Sequence, residues 1–325
     1  MISFSSELRR LARVDGVEYL GADEAFHLFG AMLDGGVPDL ELGALWMALA
    51  AGTESADVRC GFHQALGERV QRWRPPTARM PIVLPAYGLH PGDAHLVPLL
   101  AMLLVRFEVP VLVHGPIESP HHASLACVLR ELGVLPCASA AQAQAELDEG
   151  HVTFVPVGLL SPGLAALVAL RNRLGVDSVA QLLAHAVEPF DAPSLRVASS
   201  VPGHASGRLE LLFGETGGEA LTLVWPSGRT PAQLHSRPRI ERVRDGAREC
   251  LFEAEVQEAR SAPGMPDGSD ARDLAAWIRR AAEGSAALPM PVVNLLAACL
   301  HASGFSADFM QAKAIVALRT GRLAA

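Results

Sequence analysis

The sequence predicts an α/β protein with a small helical N-terminal domain and a large domain whose mainly parallel sheet is flanked by helices. Two observations support this. The first 75 residues carry apolar positions at helical spacing, and beyond a proline-rich boundary short apolar strands alternate with helices. Such alternation requires crossover connections, which cover both faces of a parallel sheet. We therefore place domains at residues 1–75 and 76–325, and expect helices within 161–187 to join the first domain.

The first domain is predicted to contain helices at residues 22–33, 40–51 and 56–73. The second of these has a broad apolar face, formed by Leu40, Leu42, Leu45, Trp46 and Leu49. Such a face packs within the chain or against a second copy of it, and both remain open. The sequence Arg74-Pro75-Pro76 ends the helical region, because proline lacks a backbone donor and its preceding residue avoids the helical basin.

In the large domain each element follows from the same patterns. Strands are predicted at residues 81–85, 109–113, 134–137, 152–155, 194–199, 209–213, 220–225 and 251–256. Helices are predicted at residues 96–106, 122–132, 140–147, 162–174, 178–186, 271–283, 291–302 and 306–320. The glycine-rich stretch 214–218 is interpreted as a hairpin turn. The crossover spanning 81–115 frames any ligand site, because ligands bind beyond the carboxyl ends of parallel strands.

The composition excludes several classes of chemistry. Lys313 is the only lysine, so a phosphate-binding or Schiff-base lysine can exist only at that position. Five cysteines without a C-x-x-C pair indicate neither a disulfide framework nor a zinc ribbon. The histidines at 114, 121, 122 and 151 match no standard zinc spacing, so we expect no metal site and no cofactor. Without a signal-peptide core or a membrane-length apolar run, we expect a cytoplasmic protein that does not enter membranes.

Two arginine-rich tracts stand out against a formal net charge of −8. The first surrounds Trp73 and contains Arg69, Arg72, Arg74 and Arg79, and the second contains Arg237, Arg239, Arg242, Arg244 and Arg248. Each could follow a phosphate backbone, the first with an aromatic ring for base stacking. The alternative is a solvated helix face and an edge strand whose arginines pair with Glu241 and Asp245. An acidic chain repels polyanions overall, so any nucleic-acid surface must be local.

Several motifs resemble those of anthranilate phosphoribosyltransferases, and more closely the YbiB-type branch of that family outside tryptophan biosynthesis. They are GVPDLELGALWMALAAGTES from residue 36, VPVLVHG from 109, LSPGLAALVALRNRLGV from 160, PVVNLLAACL from 291 and ADFMQAKAIVALRTG from 307. The resemblance covers nearly the whole chain. It implies a phosphoribosyltransferase-like fold, with the small helical domain forming a homodimer interface.

The family's catalytic motifs are degenerate here. Its pyrophosphate-binding G-T-G-G-D loop corresponds to AYGLHPGD, where only Gly92 and Asp93 match by type. Its K-H-G-N corresponds to Val113-His114-Gly115-Pro116, which removes the lysine and the asparagine. The nearest match to its magnesium-binding Asp-Glu pair is Glu219 followed by Ala220. Arg171 matches the arginine that contacts anthranilate, so the resemblance implies a vestigial pocket of Gly92, Asp93, His114, Gly115 and Arg171.

The sequence thus leads to one expected function and two alternatives. We expect a non-catalytic dimer, without catalytic residues of its own, that binds DNA or RNA non-specifically through the two arginine tracts. The first alternative is a glycosyl or phosphoribosyl transferase acting on an unidentified acceptor, because His114, Gly115 and Arg171 are retained. The second is an interaction scaffold. Loss of the lysine, the glycine cradle and the metal carboxylates together makes anthranilate phosphoribosyl transfer the least expected activity.

Overall fold

A computed structural model describes residues 4–11, 20–50, 54–87, 93–118, 124–177, 179–200, 206–225, 236–256, 266 and 270–320. The helices are α1 (Phe4–Leu11), α2 (Ala22–Leu33), α3 (Asp39–Ala50), α4 (Ala56–Gly67), α5 (Asp93–Arg106), α6 (Leu125–Glu131), α7 (Ala140–Asp148), α8 (Val157–Leu160), α9 (Pro162–Leu174), α10 (Val179–Ala184), α11 (Ser206–Thr216), α12 (Ala271–Ala282), α13 (Met290–Ala302) and α14 (Phe309–Thr320). The strands are β1 (Ile82–Pro85), β2 (Val111–Gly115), β3 (Thr153–Pro156), β4 (Leu195–Ser200), β5 (Glu219–Val224), β6 (Ser236–Arg237), β7 (Arg239–Arg244), β8 (Ala247–Phe252) and β9 (Glu255–Val256).

The main sheet has seven strands in the order β3-β2-β1-β4-β5-β7-β8. Strands β1 to β5 run parallel, whereas β7 and β8 form an antiparallel hairpin at one edge. The order reverses around β1, because β2 and β3 follow on one side and β4 and β5 on the other. Crevices at such reversal points bind ligands in open α/β sheets. The predicted fold class, a helical N-terminal domain beside a mainly parallel sheet, is confirmed.

Each face of the sheet packs against its own helical layer. One face continues into the core of the N-terminal helices and buries Phe29, Trp46, Phe62, Leu112 and Val155 together. The other face packs on α5, α6, α12, α13 and α14 around residues such as Val113, Phe154, Trp277 and Leu296. Because side chains alternate along a strand, adjacent residues of β2 point into different cores. His114 therefore shares the face of the N-terminal helices with Leu112.

The N-terminal helices pack with α9 at a point of close backbone contact. A Cβ atom at Gly163 would collide with the Leu33 carbonyl oxygen, so only glycine allows α9 to approach α2 this closely. The Trp46 indole donates to the Val176 carbonyl oxygen at 3.3 Å, which connects α3 to the end of α9. These contacts place α9 beside the first helices, while the predicted domain limits remain a prediction.

Several local predictions were wrong. Residues 209–213 belong to helix α11, where Leu209, Leu212 and Phe213 are buried at helical spacing. Residues 214–216 end that helix, so only Gly217 and Gly218 form the turn into β5. The predicted strand 251–256 starts earlier as β8, and β7 was considered only as part of the alternative ion-paired strand and not among the predicted strands. The predicted strand 134–137 is reduced to a single bridge between Pro136 and Phe154.

Among the residues described, none of the helices combines the length and the apolar character needed to cross a bilayer.

Candidate functional site

The candidate site lies at the carboxyl ends of the central strands. Pro85 ends β1 and pairs with His114 of β2, and the Ala86 amide donates to the His114 carbonyl oxygen at 2.8 Å. The same edge of the sheet is formed by Ser199 and Ser200 at the end of β4. This is the crevice in which a parallel sheet of this order holds its ligand.

His114 forms a buried polar cluster with Tyr87 and His185. The Tyr87 hydroxyl and His114 Nδ1 are 2.7 Å apart, and both side chains are fully buried. The Tyr87 ring contacts the rings of His114 and His185 edge-on, with centroids 5.3 and 5.6 Å away. His185 Nδ1 donates to the Gln181 carbonyl oxygen at 2.7 Å. His114 is thus oriented by Tyr87 beneath the site.

Burial keeps His114 neutral. Desolvation, with a smaller contribution from nearby His185, lowers the pKa of His114 to about 3. Its Nε2 atom is buried and has no hydrogen-bond partner among the described groups. Burial also raises the pKa of the Tyr87 hydroxyl far above its ordinary value. At neutral pH the pair is uncharged, so it offers no electrostatic attraction to a phosphate or carboxylate.

Close packing between two strand segments requires glycine at position 115. A Cβ atom there would lie 2.6 Å from the Ala86 carbonyl oxygen and 3.2 Å from its carbonyl carbon. Those atoms belong to the adjacent strand segment and cannot rotate away. The glycine that matches the family motif is therefore required for close contact between β1 and β2, whether or not a ligand binds.

The other residues of the predicted pocket do not join this cluster. Gly92 lies outside the described residues, and Asp93 is described only as the first backbone position of α5. Val113 is fully buried in the core opposite His114, so the position of the family's lysine is now part of the apolar interior. Arg171 pairs with Asp177 through Nε and Oδ1 at 2.8 Å. The structure therefore brings together only His114 and Gly115 from the predicted pocket.

The space beside β1 and β4 is small and mainly apolar. A cavity of about 20 Å³ is lined by the side chains of Leu96, Leu100, Val197, Leu223 and Leu295, with His185 at one wall. This volume accommodates about one water molecule. Within the described part of the crevice, leucine and valine therefore fill the region next to the strand ends.

The residues present do not fit the magnesium ion that accompanies substrate in the family's enzymes. Glu219, the nearest match to the metal-binding pair, begins β5 and so lies at the amino ends of the parallel strands. Its carboxylate accepts from Arg242 Nε at 3.0 Å and Nη2 at 3.1 Å, and also from Arg244 Nε. These three hydrogen bonds occupy most of the roughly four lone-pair sites of the carboxylate, and two guanidinium groups already balance its charge. Glu219 is structural.

Only part of the first arginine tract is exposed and available to bind a nucleic acid. Trp73 is 2% exposed and its indole donates to the Ala140 carbonyl oxygen at 2.9 Å, so its predicted role in base stacking was wrong. Arg69 makes two hydrogen bonds of 2.8 Å to Asp34, which neutralises its charge. Arg79 donates to the Phe107 carbonyl oxygen at 2.8 Å and lies over the Phe305 ring. Arg72 and Arg74 are exposed and make no ion pair with any described carboxylate.

The second tract is largely ion-paired, as the alternative expected, but it is distributed over β6, over β7 inside the sheet and over the edge strand β8. Arg242 is 9% exposed and bound by Glu219, so its predicted contact with nucleic acid was wrong. Arg237 pairs with Glu255 at 2.6 Å, and Arg239 pairs with Glu241 at 2.7 Å. Arg244 also bonds Glu219, yet its side chain remains 57% exposed. Arg248 is exposed and donates to the Glu210 carbonyl oxygen at 3.0 Å.

The two tracts lie apart in the sheet. The Arg74 amide donates to Gln144 of α7, which packs against β3, whereas the second tract lies on β7 and β8. Five strand spacings separate β3 from β7, which corresponds to about 24 Å. Arg79, at the other end of the first tract, comes three residues before β1, which is three strand spacings from β7.

Two residues of the buried cluster escaped the sequence analysis. Tyr87 is one of only two tyrosines and follows directly on β1, and this rarity and position could have marked it. His185 follows α10, more than seventy residues beyond His114, and only the tertiary structure brings it to the cluster.

The helical domain, the strand order and the site at the strand ends define a phosphoribosyltransferase-like protein. Residues 8–69 match the helical bundle domain of the glycosyl transferase family. The solved anthranilate phosphoribosyltransferase of Thermus thermophilus has the same fold, with a TM-score of 0.74, 19% identity and coverage of 96% of this chain and 93% of that chain. The uncharacterised protein YbiB of Escherichia coli K12 is 35% identical over 89% of this chain and 90% of its own length. The chain belongs to the YbiB-type branch of the anthranilate phosphoribosyltransferase-like proteins.

Relatives that carry the enzyme's name are more distant in coverage. The anthranilate phosphoribosyltransferase of Methylobacterium radiotolerans is 32% identical over 174 residues, which cover 53% of this chain and 50% of that protein. The similarity to YbiB covers a larger share of both proteins.

Proposed function

We propose that this chain is a non-catalytic, cytoplasmic protein of phosphoribosyltransferase fold that binds DNA or RNA through exposed arginines. Arg72 and Arg74 are the observation that carries the proposal. They flank the buried Trp73 on one surface segment, and no described carboxylate neutralises them. Arginines without anionic partners can bind the phosphates of a nucleic-acid backbone. Such contacts are the same for every base sequence, so binding through them is non-specific. The exposed side of Arg244 is a second, weaker contact point.

The site residues argue against transfer chemistry. Phosphoribosyl transfer relies on positioning and on stabilising the charge of the departing pyrophosphate. Here His114 is neutral, Arg171 is paired with Asp177, and Glu219 is held by arginines. Arg208, in the first turn of the helix that follows β4, is paired with Glu54.

Dimerisation through the N-terminal helices is part of the proposal. On α3, Leu40 is 82% exposed and Met47 is 53% exposed, and a spacing of seven residues places them on one face of the helix. Gly43 and Ala44 lie between them, so a second helix could approach closely. Exposed large apolar side chains in one stripe favour a self-complementary contact with a second copy. A dimer would present two copies of the segment with Arg72 and Arg74.

The binding test is a fluorescence anisotropy titration of a labelled 20-nucleotide oligothymidine at several salt concentrations. We expect saturable binding whose affinity falls with salt, because arginines displace counterions from phosphates. The double variant Arg72→Gln/Arg74→Gln should flatten the slope of log affinity against log salt by about 1.4, since each single-strand phosphate contact contributes about 0.7.

Arg173→Gln is the matched control, because this exposed arginine of α9 lies outside both tracts and pairs with no described carboxylate. The proposal fails if the parent protein does not bind the oligonucleotide at low salt, or if its affinity does not change with salt. It also fails if Arg173→Gln flattens the salt slope by about 0.7, the change expected for each arginine of the double variant.

The transferase alternative is tested separately by calorimetry with phosphoribosyl pyrophosphate and magnesium. We expect no saturable heat. Saturable binding of the donor would favour a transferase, because a binding protein without transfer chemistry needs no phosphoribosyl donor.

A further inference from the structure

A second cavity lies at the edge of the sheet opposite the site discussed above. It has a volume of about 720 Å³ and is lined by the ends of α5, α6 and α12 and by the segment before β3. Its lining residues Arg106 and Val152 come shortly before β2 and directly before β3, so the cavity lies at the amino ends of these strands. Small-molecule sites usually measure about 300–1,000 Å³. Strand β2, of five residues, separates it from Gly115 by about 15 Å.

The walls of this cavity are aliphatic. Met102, Val105, Leu132, Val134 and Leu135 form most of the apolar lining. Leu135 is 62% exposed, so its side chain lies where it can contact both a bound chain and solvent. No phenylalanine, tyrosine or tryptophan ring lines the cavity among the described residues, so it offers no broad platform on which a nucleobase could stack. The shape and chemistry suit a flexible aliphatic chain.

One cation at the rim lacks a partner. Arg106 is exposed and forms no ion pair or hydrogen bond with any described group. The other charged lining groups are Arg279, Glu283, Glu146 and His151. Arg279 donates to the Glu131 carbonyl oxygen, and the Glu146 carboxylate lies 2.9 Å from His151 Nδ1. One guanidinium can bind one carboxylate through charge-assisted hydrogen bonds.

We propose that this cavity is a binding site for an aliphatic monocarboxylate of medium chain length, with Arg106 binding the carboxylate and Leu135 covering the chain. The site is separate from the arginines assigned to nucleic acid and does not depend on that function. An apolar chain gains from leaving water, and the guanidinium supplies the charge-assisted hydrogen bond that sets its orientation.

The test is isothermal titration calorimetry of the whole protein with octanoate and with 1-octanol, which share a chain but differ in charge. We expect one octanoate per chain with a dissociation constant below about 1 mM. Arg106→Gln should weaken octanoate binding by about tenfold and leave 1-octanol binding unchanged, because only the charged partner is lost. Leu135→Asp should weaken both ligands, and octanoate more.

Arg280→Gln is the matched control, because Arg280 is an exposed arginine on α12 that does not line the cavity. Both test residues are exposed, so the variants should fold, and equal thermal midpoints would confirm this. The proposal is overturned if octanoate gives no saturable heat, if Arg106→Gln weakens both ligands equally, or if Arg280→Gln weakens octanoate as much as Arg106→Gln does.

Discussion

Replacing Gly115 by alanine should destabilise the protein even though the new side chain is a single methyl group. The added Cβ would lie 2.6 Å from the Ala86 carbonyl oxygen and 3.3 Å from the Ala86 Cβ, whereas ordinary contacts begin near 3.4 Å. The two strand ends must therefore separate by about 0.8 Å, although the Ala86 amide and the His114 carbonyl oxygen hold them together. Forcing a methyl group into a packed interior costs about 1–3 kcal/mol.

Urea unfolding followed by far-ultraviolet circular dichroism measures this change, provided that the dependence on urea concentration stays the same in both proteins. Gly158→Ala is the matched control, because Gly158 lies in helix α8 with no heavy atom within 4 Å of its added Cβ. Alanine in a helix is favoured over glycine by about 1 kcal/mol, so this control should be neutral or more stable. If Gly115→Ala proves as stable as the parent, the packing argument is refuted and a ligand becomes the better explanation for this glycine.

Three further predictions concern the buried charges, pH and assembly. Glu219→Ala should cost about 3–5 kcal/mol in urea unfolding, because it leaves Arg242 buried without its carboxylate, and a loss below about 1 kcal/mol would contradict this. Stability should fall as the pH drops below about 6.5, since unfolded histidine takes up a proton there while folded His114, with a pKa of about 3, stays neutral. This contribution amounts to about 1.4 kcal/mol per pH unit, and His114→Gln should show a shallower dependence between pH 6 and 5 than the parent. Met47→Glu should convert the proposed dimer into a monomer in analytical ultracentrifugation. The control Met310→Glu, at an exposed position on α14, should leave the dimer intact. A parent protein that is monomeric at every concentration would contradict the dimer proposal.

Periodicity predicted most of the elements because their burial follows a simple rule. Helices α2 and α9 match their predicted limits, and the crossover from β1 through α5 to β2 lies where the apolar runs placed it. In these segments the apolar side chains that define the pattern are the ones that the core buries. The identity of the fold also followed from local motifs, since the resemblance spans both domains.

Strand β7, which the sequence offered only as part of an alternative, shows why it was absent from the predicted strands. Its sequence RIERVR looks like a solvated surface segment, yet Arg242 within it is buried. Burial is possible only because Glu219, from the neighbouring strand β5, accepts two hydrogen bonds from its guanidinium group. Helix α11 was misread for a different reason, because a short apolar run such as LELLF fits both a strand and a helix. In each case the deciding partner is distant in sequence.

The sequence by itself determined the fold class, the family and the loss of the lysine and the glycine cradle, because each is a matter of residue type and local order. Tertiary structure alone decided which of those residues remain chemically available. Burial made His114 neutral, and pairing removed Glu219 and Arg242 from the surface. Charge and accessibility depend on neighbours brought together by folding, and a linear pattern does not specify those neighbours.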